Sequence, residues 1–212
     1  MNLDYALYPK LIKTIESPFN GTIEVFRTGG SYRLDVGGLT QSGSVMTHVW
    51  KWGVDALLPH DFNPSKILML GVAGGSAISW LAHKFPQAQI VGVDIDPVIV
   101  EVGKEFFGLN KLKNLKIVIS DAVKFLKTNK ESFDIIFTDC YKGYETPLGF
   151  EDLDFLTQVK KYTQYFFINR LYWGEHVIDS TAYEIKLRER FEIQTTATES
   201  NLIISLISEK SI

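Results

Sequence analysis

The sequence predicts an α/β protein in which a mostly parallel, doubly wound sheet follows a small antiparallel β-meander and ends in an antiparallel hairpin. Three observations predict this fold class. The apolar run 67–70 stops at a glycine-rich turn, and apolar residues then recur at helical spacing. Four further short apolar runs alternate with helical patterns, as in a parallel sheet with right-handed crossovers. Two β-rich runs close the chain with no helix between them.

The composition describes an ordinary globular chain: 212 residues, 45% hydrophobic and 22% charged. The net charge of −3 gives no general attraction to nucleic acid or to an anionic membrane, so we expect neither as a partner. No apolar run approaches the roughly 20 residues that a membrane span needs, and no secretory signal is visible. Cys140 has no second cysteine to pair with, which fits a reducing cytoplasm. The four histidines lack metal-ligand spacing, so no metal site is expected.

We divide the chain into an N-terminal unit, residues 1–60, and a main domain, residues 61–212. Residues 1–20 contain two prolines and are predicted to be irregular or partly helical. Strands are predicted at 22–26, 32–36 and 39–41, with glycine pairs as the turns between them. A helical pattern then runs over 45–58 and ends before Pro59.

The main domain is predicted to alternate strands with helices. The strands are 66–71, 89–94, 115–119, 133–137 and 165–168, and the closing hairpin is 192–198 with 202–207. The helices are 76–85, 97–107, a short one reaching residue 127, 153–161 and 179–190. Asp96-Pro97 supplies an N-cap and a first-turn proline for the second of these helices. Residues 140–151 are predicted to be a loop.

A glycine-rich turn followed by an acid is the strongest functional signal in the chain. Gly71, Gly74 and Gly75 permit positive φ and would let a ligand approach the backbone beside a helix N-terminus. Asp94 closes the next strand, 23 residues after Gly71, where a carboxylate can accept both hydroxyls of an adenosine ribose. The pattern therefore predicts an adenosine-type ligand.

The order of several short blocks resembles the spermidine synthase-like branch of the class I S-adenosylmethionine-dependent methyltransferase superfamily. The blocks are the β-meander, Gln41-Ser42, the glycine turn, Val93-Asp-Ile-Asp-Pro97, Ser120-Asp121-Ala122 and Phe133-Asp-Ile-Ile-Phe-Thr-Asp139. The resemblance covers about residues 17–167 and implies a Rossmann-like sheet. It also implies a homodimer that pairs through the β-meander.

By that resemblance Asp94 would bind the ribose, Asp121 the adenine amino group, and Asp139 would be the general base. The cofactor-binding set that it implies is Gln41, Gly71, Gly74, Gly75, Asp94, Ile95, Asp121 and Ala122. Ligands of open α/β sheets lie outside the carboxyl ends of the strands, which is where Asp139 is predicted to be. Tyr141 and Tyr144, on the following loop, and the aromatic Trp50 are candidates for the wall of a small-molecule acceptor site.

Departures from the polyamine synthases favour one reaction over another. Those enzymes carry an aspartate where Gly74 stands, and a second aspartate where Lys142 follows Asp139. The acids and tyrosine that they place after Gln41 align with Met46, Trp50 and Trp52. Removing anions disfavours a cationic amine and a donor that ends in an ammonium group. We therefore expect S-adenosylmethionine rather than its decarboxylated form, and methyl transfer rather than aminopropyl transfer.

Three alternatives remain open at this point. The chain could transfer an aminopropyl group from decarboxylated S-adenosylmethionine to an atypical amine, or it could be a non-catalytic nucleoside-binding or dimerisation module. A nicotinamide dehydrogenase is disfavoured, because its loop needs glycine at Ala73 and it lacks the antiparallel finish. Individual residues have structural alternatives as well: Asp96 and Asp121 can cap helices, and Cys140 can be a small packed residue.

Overall fold

The computed structural model describes residues 8–209, which form two β-sheets and six α-helices. The N-terminal sheet is antiparallel, with strand order β1-β2-β3-β4. Its strands are β1 (Lys10–Ser17), β2 (Gly21–Thr28), β3 (Ser31–Val36) and β4 (Leu39–Ser42). The predicted β-meander is therefore present, with one additional strand in front of it.

Strand β1 corrects the prediction for the start of the chain. Residues 10–17 pair with β2 in antiparallel register, whereas the sequence predicted irregular or partly helical structure over 1–20. Residues 1–7 of that prediction lie outside the described part. Pro9 and Pro18 bound the strand rather than interrupt it, and the burial alternates along residues 13–16, as expected for a strand with one covered face.

The large sheet has seven strands in the order β10-β11-β9-β8-β5-β6-β7. Its strands are β5 (Lys66–Leu70), β6 (Gln89–Asp94), β7 (Leu115–Ile119), β8 (Phe133–Thr138), β9 (Thr163–Leu171), β10 (Phe191–Ala197) and β11 (Asn201–Glu209). Strands β5 to β9 are parallel, whereas β11 pairs antiparallel with both β9 and β10. The predicted fold class, including the antiparallel hairpin at the end, is confirmed.

Six helices cover the sheets. They are α1 (Ser44–Leu57), α2 (Ser76–Lys84), α3 (Pro97–Phe106), α4 (Ala122–Thr128), α5 (Leu153–Lys160) and α6 (His176–Arg190). Helices α1 and α2 bury apolar residues in the same core as Ile67, Phe137 and Phe167 of the large sheet. Residues of α5 and α6 belong to a second core. The N-terminal sheet packs its apolar face on α3, with Ile23, Val25 and Leu34 in one cluster with residues of that helix.

The strand order reverses at β5, which lies between β6 and β8. A crevice opens at such a point, because the crossovers on its two sides leave over opposite faces of the sheet. The segment after β5 is the glycine turn, and the residue after β8 is Asp139. The fold therefore brings the two strongest sequence signals together at one edge. No helix among residues 8–209 is long and apolar enough to cross a bilayer.

Candidate functional site

A cavity of about 380 Å³ lies at the carboxyl ends of β5, β6 and β8. Both sheets contribute to its wall, because the turn between β1 and β2 and the end of β4 reach over the large sheet. The predicted residues that line it are Gln41, Gly71, Asp94, Ile95, Asp121, Ala122, Asp139 and Tyr141. Gly74, Gly75, Trp50 and Tyr144 do not line it.

Three backbone N–H groups bind the Asp94 carboxylate. Val72 and Ala73 donate to Oδ2 at 2.8 and 2.9 Å, and Asp96 donates to Oδ1 at 2.9 Å. Burial raises the pKa of this carboxyl, and the three hydrogen bonds oppose that rise. Since each carboxylate oxygen accepts about two hydrogen bonds, Oδ2 is filled and Oδ1 has one position left. Asp94 thus holds the glycine turn and keeps one acceptor position on Oδ1 in this rotamer, and its predicted contact with a ribose stays a prediction.

Gly71 is the glycine of the turn that faces the cavity. Its φ is 85°, and a Cβ added there would lie 2.1 Å from the carbonyl oxygen of Asp139. The ends of β5 and β8 therefore approach too closely for any side chain at this position. Ala73, two residues later, also lines the cavity and has a φ of 48°. The turn presents backbone to the cavity at these two positions.

Gly74 and Gly75 do not line the cavity, and packing alone requires them to be small, so their predicted contact with a cofactor stays a prediction. A Cβ at Gly74 would lie 2.9 Å from Cβ of Ser42, and the N–H of Gly74 donates to the Ser42 hydroxyl at 2.9 Å. A Cβ at Gly75 would lie 2.1 Å from Leu109. Both glycines are buried, and their size serves packing against the N-terminal sheet and the segment after α3.

Asp121 and Ala122 form the cavity wall beside β7 and at the start of α4. The Asp121 carboxylate accepts from the N–H of Lys124 at 2.7 Å, so it caps the helix as well as lining the cavity. The two roles considered for this residue are compatible in geometry, because Oδ2 is not used by the cap. Gln41, at the end of β4, lines the cavity from the N-terminal sheet.

Two side-chain donors hold Asp139 in the cavity wall. The indole N–H of Trp50 donates to Oδ2 at 2.9 Å, and Nδ2 of Asn169 donates to Oδ1 at 2.8 Å. Burial raises the pKa of the Asp139 carboxyl, and the two hydrogen bonds oppose the rise. Each oxygen keeps a second acceptor position. A carboxylate oriented in this way can accept a proton from a bound nucleophile.

Trp50 and Tyr144 are not where the sequence predicted them. Trp50 is 1% exposed and packs edge-on against Phe137, so it lies behind Asp139 instead of forming an acceptor wall. Tyr144 is 49% exposed, and its ring contacts Trp173 and His176 rather than the cavity. The loop turns back after Lys142, so Tyr144 lies on its outer side.

The mouth of the cavity carries charges of both signs. Lys142 lines it, as does Glu145, whose backbone exchanges hydrogen bonds with Lys142. The sequence analysis did not identify Glu145 as a residue of the site, because only this short turn brings its side chain to the cavity. Tyr141 donates its hydroxyl to the carbonyl of Asn169 at 2.7 Å, and burial raises the pKa of that hydroxyl. Tyr141 therefore lines the cavity with its ring, and its hydroxyl is not available as a proton donor to a ligand.

The turn between β1 and β2 was also missed. Pro18, Phe19 and Asn20 line the cavity, and Asp96 holds this turn from below. Its Oδ2 accepts from the Ser17 hydroxyl and from Nδ2 of Asn20, each at 2.5 Å. No sequence pattern joins residues 76 to 79 positions apart, so the contact could be found only from the fold. Among residues 8–209, no group of three His, Cys, Asp or Glu side chains is placed to hold a metal ion.

The family model for the spermine/spermidine synthase domain matches residues 45–164, which is more than half of the chain. The chain belongs to the spermine/spermidine synthase family. The match contains the glycine turn, Asp94, Asp121 and Asp139. It thus includes the part of the large sheet that forms the floor of the cavity.

The relatives of this spermine/spermidine synthase family member are named for two different reactions, methyl transfer and aminopropyl transfer. An eEF1A lysine and N-terminal methyltransferase homolog from Drosophila pseudoobscura pseudoobscura is 31% identical over 113 residues, 47% of this chain and 17% of that protein. A polyamine aminopropyltransferase from Vibrio vulnificus is 29% identical over 101 residues, 46% of this chain and 34% of that protein. The chain thus spans about a third or less of the length of these two relatives.

The fold is shared over nearly the whole chain with a solved structure. A probable spermidine synthase from Corynebacterium glutamicum superposes with a TM-score of 0.73 and 16% identity, covering 93% of this chain and 80% of that one. At this identity the likeness establishes the fold, including the N-terminal sheet, and leaves the reaction to be argued from the cavity.

Proposed function

We propose that this protein is an S-adenosylmethionine-dependent methyltransferase with Asp139 as the general base toward the acceptor. The cavity suits an adenosine-type donor: Gly71 and Ala73 present backbone, Asp121 has a carboxylate oxygen that its helix cap does not use, and Gln41 closes the site from the second sheet. S-adenosylmethionine would supply an electrophilic methyl group on a sulfonium sulfur. Asp139 would accept the proton that the acceptor loses as its nitrogen or oxygen bonds to the methyl carbon and the carbon–sulfur bond breaks.

One observation carries the choice of methyl over aminopropyl transfer. Polyamine synthases have an aspartate at the position of Gly74, and a decarboxylated donor needs an anion to pair with its ammonium group. In this chain Ser42 and Phe107 stand 2.9 and 3.1 Å from where a Cβ at Gly74 would be. An acidic side chain has no room there, so the site offers that ammonium no partner at this position.

A second candidate, aminopropyl transfer, is favoured by Glu145. This carboxylate lines the cavity mouth close to Lys142 and could attract an amine acceptor. The ammonium group of Lys142 offsets much of that attraction, because the fields of two opposite charges in one short turn largely cancel at the position of an approaching amine. The relatives include proteins named for each reaction, so the products must decide.

The test compares donors by titration calorimetry. We expect S-adenosylmethionine and S-adenosylhomocysteine to bind more tightly than decarboxylated S-adenosylmethionine by about fivefold or more, since one unmatched charge costs at least about 1 kcal/mol. Asp121→Asn should weaken both, and Asp61→Asn, an equal charge change at an exposed residue outside the cavity wall, is the control.

Turnover is then followed with a panel of amine and peptide acceptors. Methyl transfer yields S-adenosylhomocysteine, and Asp139→Asn should lower the rate by about 100-fold or more while the donor still binds. Methylthioadenosine formed from the decarboxylated donor, together with tighter binding of that donor, would replace the proposal with aminopropyl transfer. Absence of binding by every donor would leave a non-catalytic module.

A further inference from the structure

Behind Asp139 the structure contains a line of buried amide side chains that extends away from the cavity. Asn169 is 2% exposed and Asn201 is 5% exposed. Nδ2 of Asn201 donates to Oδ1 of Asn169 at 2.9 Å, and the Ser200 hydroxyl donates to Oδ1 of Asn201 at 2.7 Å. The line therefore runs from Ser200 through both amides to the Asp139 carboxylate.

The direction of every hydrogen bond in this line is fixed by its last member. An ionised carboxylate only accepts, so Asn169 must turn its NH2 group toward Asp139 and its oxygen toward Asn201. That oxygen in turn requires the NH2 group of Asn201, whose own oxygen is left for Ser200. A flip of either amide would place two acceptors or two donors face to face. Since both groups are buried, such a flip is costly.

The antiparallel end of the sheet makes this arrangement. In the pairing of β11 with β9, Ile203 stands opposite Asn169 and Asn201 stands opposite Leu171. Asn201 is thus a diagonal neighbour of Asn169, within reach of a side-chain contact. The hydroxyl of Tyr141 also binds the carbonyl of Asn169, which ties the loop after β8 to the same residue.

We propose that Asn169 and Asn201 are positioning residues that fix the rotamer and favour the ionised form of Asp139 through this directed line. The inference rests on the proposed function, because it assigns to that site the residues that prepare its base. The line removes the freedom of the carboxylate to rotate, and the hydrogen bond that Asn169 donates is stronger to the ionised carboxylate than to the neutral acid. Asn201 acts through Asn169 and touches neither the cavity nor a reacting atom.

The ionisation of Asp139 can be measured without any donor or acceptor. The indole N–H of Trp50 is bound to the carboxylate, so its NMR resonance should move as Asp139 titrates. The titratable groups that share the cavity wall are Asp94, Asp121, Cys140, Tyr141, Lys142 and Glu145. Trp50→Phe assigns the resonance, and Asp139→Asn should abolish the transition that belongs to this carboxyl.

Asn169→Leu and Asn201→Ala should each raise the Asp139 midpoint by roughly half to one pH unit, because the ionised form loses or loosens a donor. The control is Asn114→Ala, which removes an amide that donates to Ala88 at the amino end of the sheet. The double variant should move the midpoint no further than Asn169→Leu alone, since both changes act through one contact. A midpoint in Asn201→Ala equal to that of the control overturns the role of Asn201.

The wild-type protein gives a second reading that does not depend on a variant folding. The side-chain amide protons of Asn169 and Asn201 should both shift with the midpoint seen at Trp50. Amide protons of Asn201 that do not respond would overturn the proposal, and so would a midpoint at Asn169 that differs from the one at Trp50. Because no donor is present, this outcome is independent of whether methyl transfer is found.

Discussion

At position 71 the backbone of the glycine turn lies so close to the backbone of Asp139 that no side chain fits between them. The carbonyl of Asp139 occupies the space where the Cβ of residue 71 would be, 2.1 Å away, and φ at Gly71 is in the left-handed region. This contact sets the distance between the glycine turn and the proposed base. Glycine at this position is therefore required by the geometry of the cavity floor itself.

Gly71→Ala should destabilise the protein by at least about 2 kcal/mol more than Gly29→Ala, because backbone must move at position 71. Gly29 is a matched control: its φ of 57° imposes a similar conformational strain, but no atom of residues 8–209 lies within 4 Å of its Cβ position. The control should cost about 1–2 kcal/mol. Urea unfolding measures both variants, and equal losses would show that strain, not the contact, determines the requirement.

At the same scale, single residues show what sequence reasoning could and could not find. Asp94 and Asp139 were identified because an acid after an apolar run at a strand end is a recognisable pattern. Asn169 also follows an apolar run, residues 165–168, and a rule that included amides as well as acids would have found it. The sequence placed Trp50 in the cavity wall instead of behind Asp139. Its contact with Asp139 joins residues 89 positions apart, so no local sequence pattern could have revealed it.

At the scale of elements, one carboxylate ties the N-terminal sheet to the large one. Asp96 is fully buried, caps α3 through the N–H of Val98 at 2.8 Å, and binds Ser17 and Asn20 of the turn between β1 and β2. The sequence correctly predicted the cap. The second use of the same carboxylate, which holds a wall of the cavity in place, depends on how the two sheets meet.

Asp96→Ala should lower the unfolding free energy by roughly 2–4 kcal/mol, because the cap is lost and two polar groups of the turn lose their partner. Asp152→Ala is the control, since the Asp152 carboxylate caps α5 at an exposed site, where it accepts from the backbone N–H groups of Asp154 and Phe155. The control should cost about 1 kcal/mol. Similar losses in chemical denaturation would mean that the turn contributes nothing beyond the cap.

The accuracy of the predicted helix and strand boundaries also depends on whether local sequence or tertiary contacts determine them. Helices and strands with clear periodicity were predicted to within a few residues. Strand β9 extends to Leu171 and α6 begins at His176, beyond the predicted limits, because pairing with β11 and the contacts of His176 extend them. β1 was missed because its partner strand, rather than its own sequence, determines its conformation.

For the whole molecule, the cavity is where the two sheets share a surface. Phe19 and Gln41 reach it from the N-terminal sheet, while Asp94, Asp121 and Asp139 lie at the carboxyl ends of β6, β7 and β8 in the large sheet. A ligand that fills the cavity therefore contacts both sheets. Binding of such a ligand should therefore stabilise the contact between the two sheets as well as the cavity wall that each sheet contributes.

S-adenosylhomocysteine at about 100 times its Kd should raise the unfolding free energy by about 2.7 kcal/mol. Hydrogen exchange should slow at the turn between β1 and β2 as well as at the glycine turn, because both form the wall around the ligand. The last turn of α6, outside the wall, is the internal reference. Protection confined to the large sheet would mean that Phe19 and Gln41 do not contact the donor, and that the N-terminal sheet faces the acceptor instead.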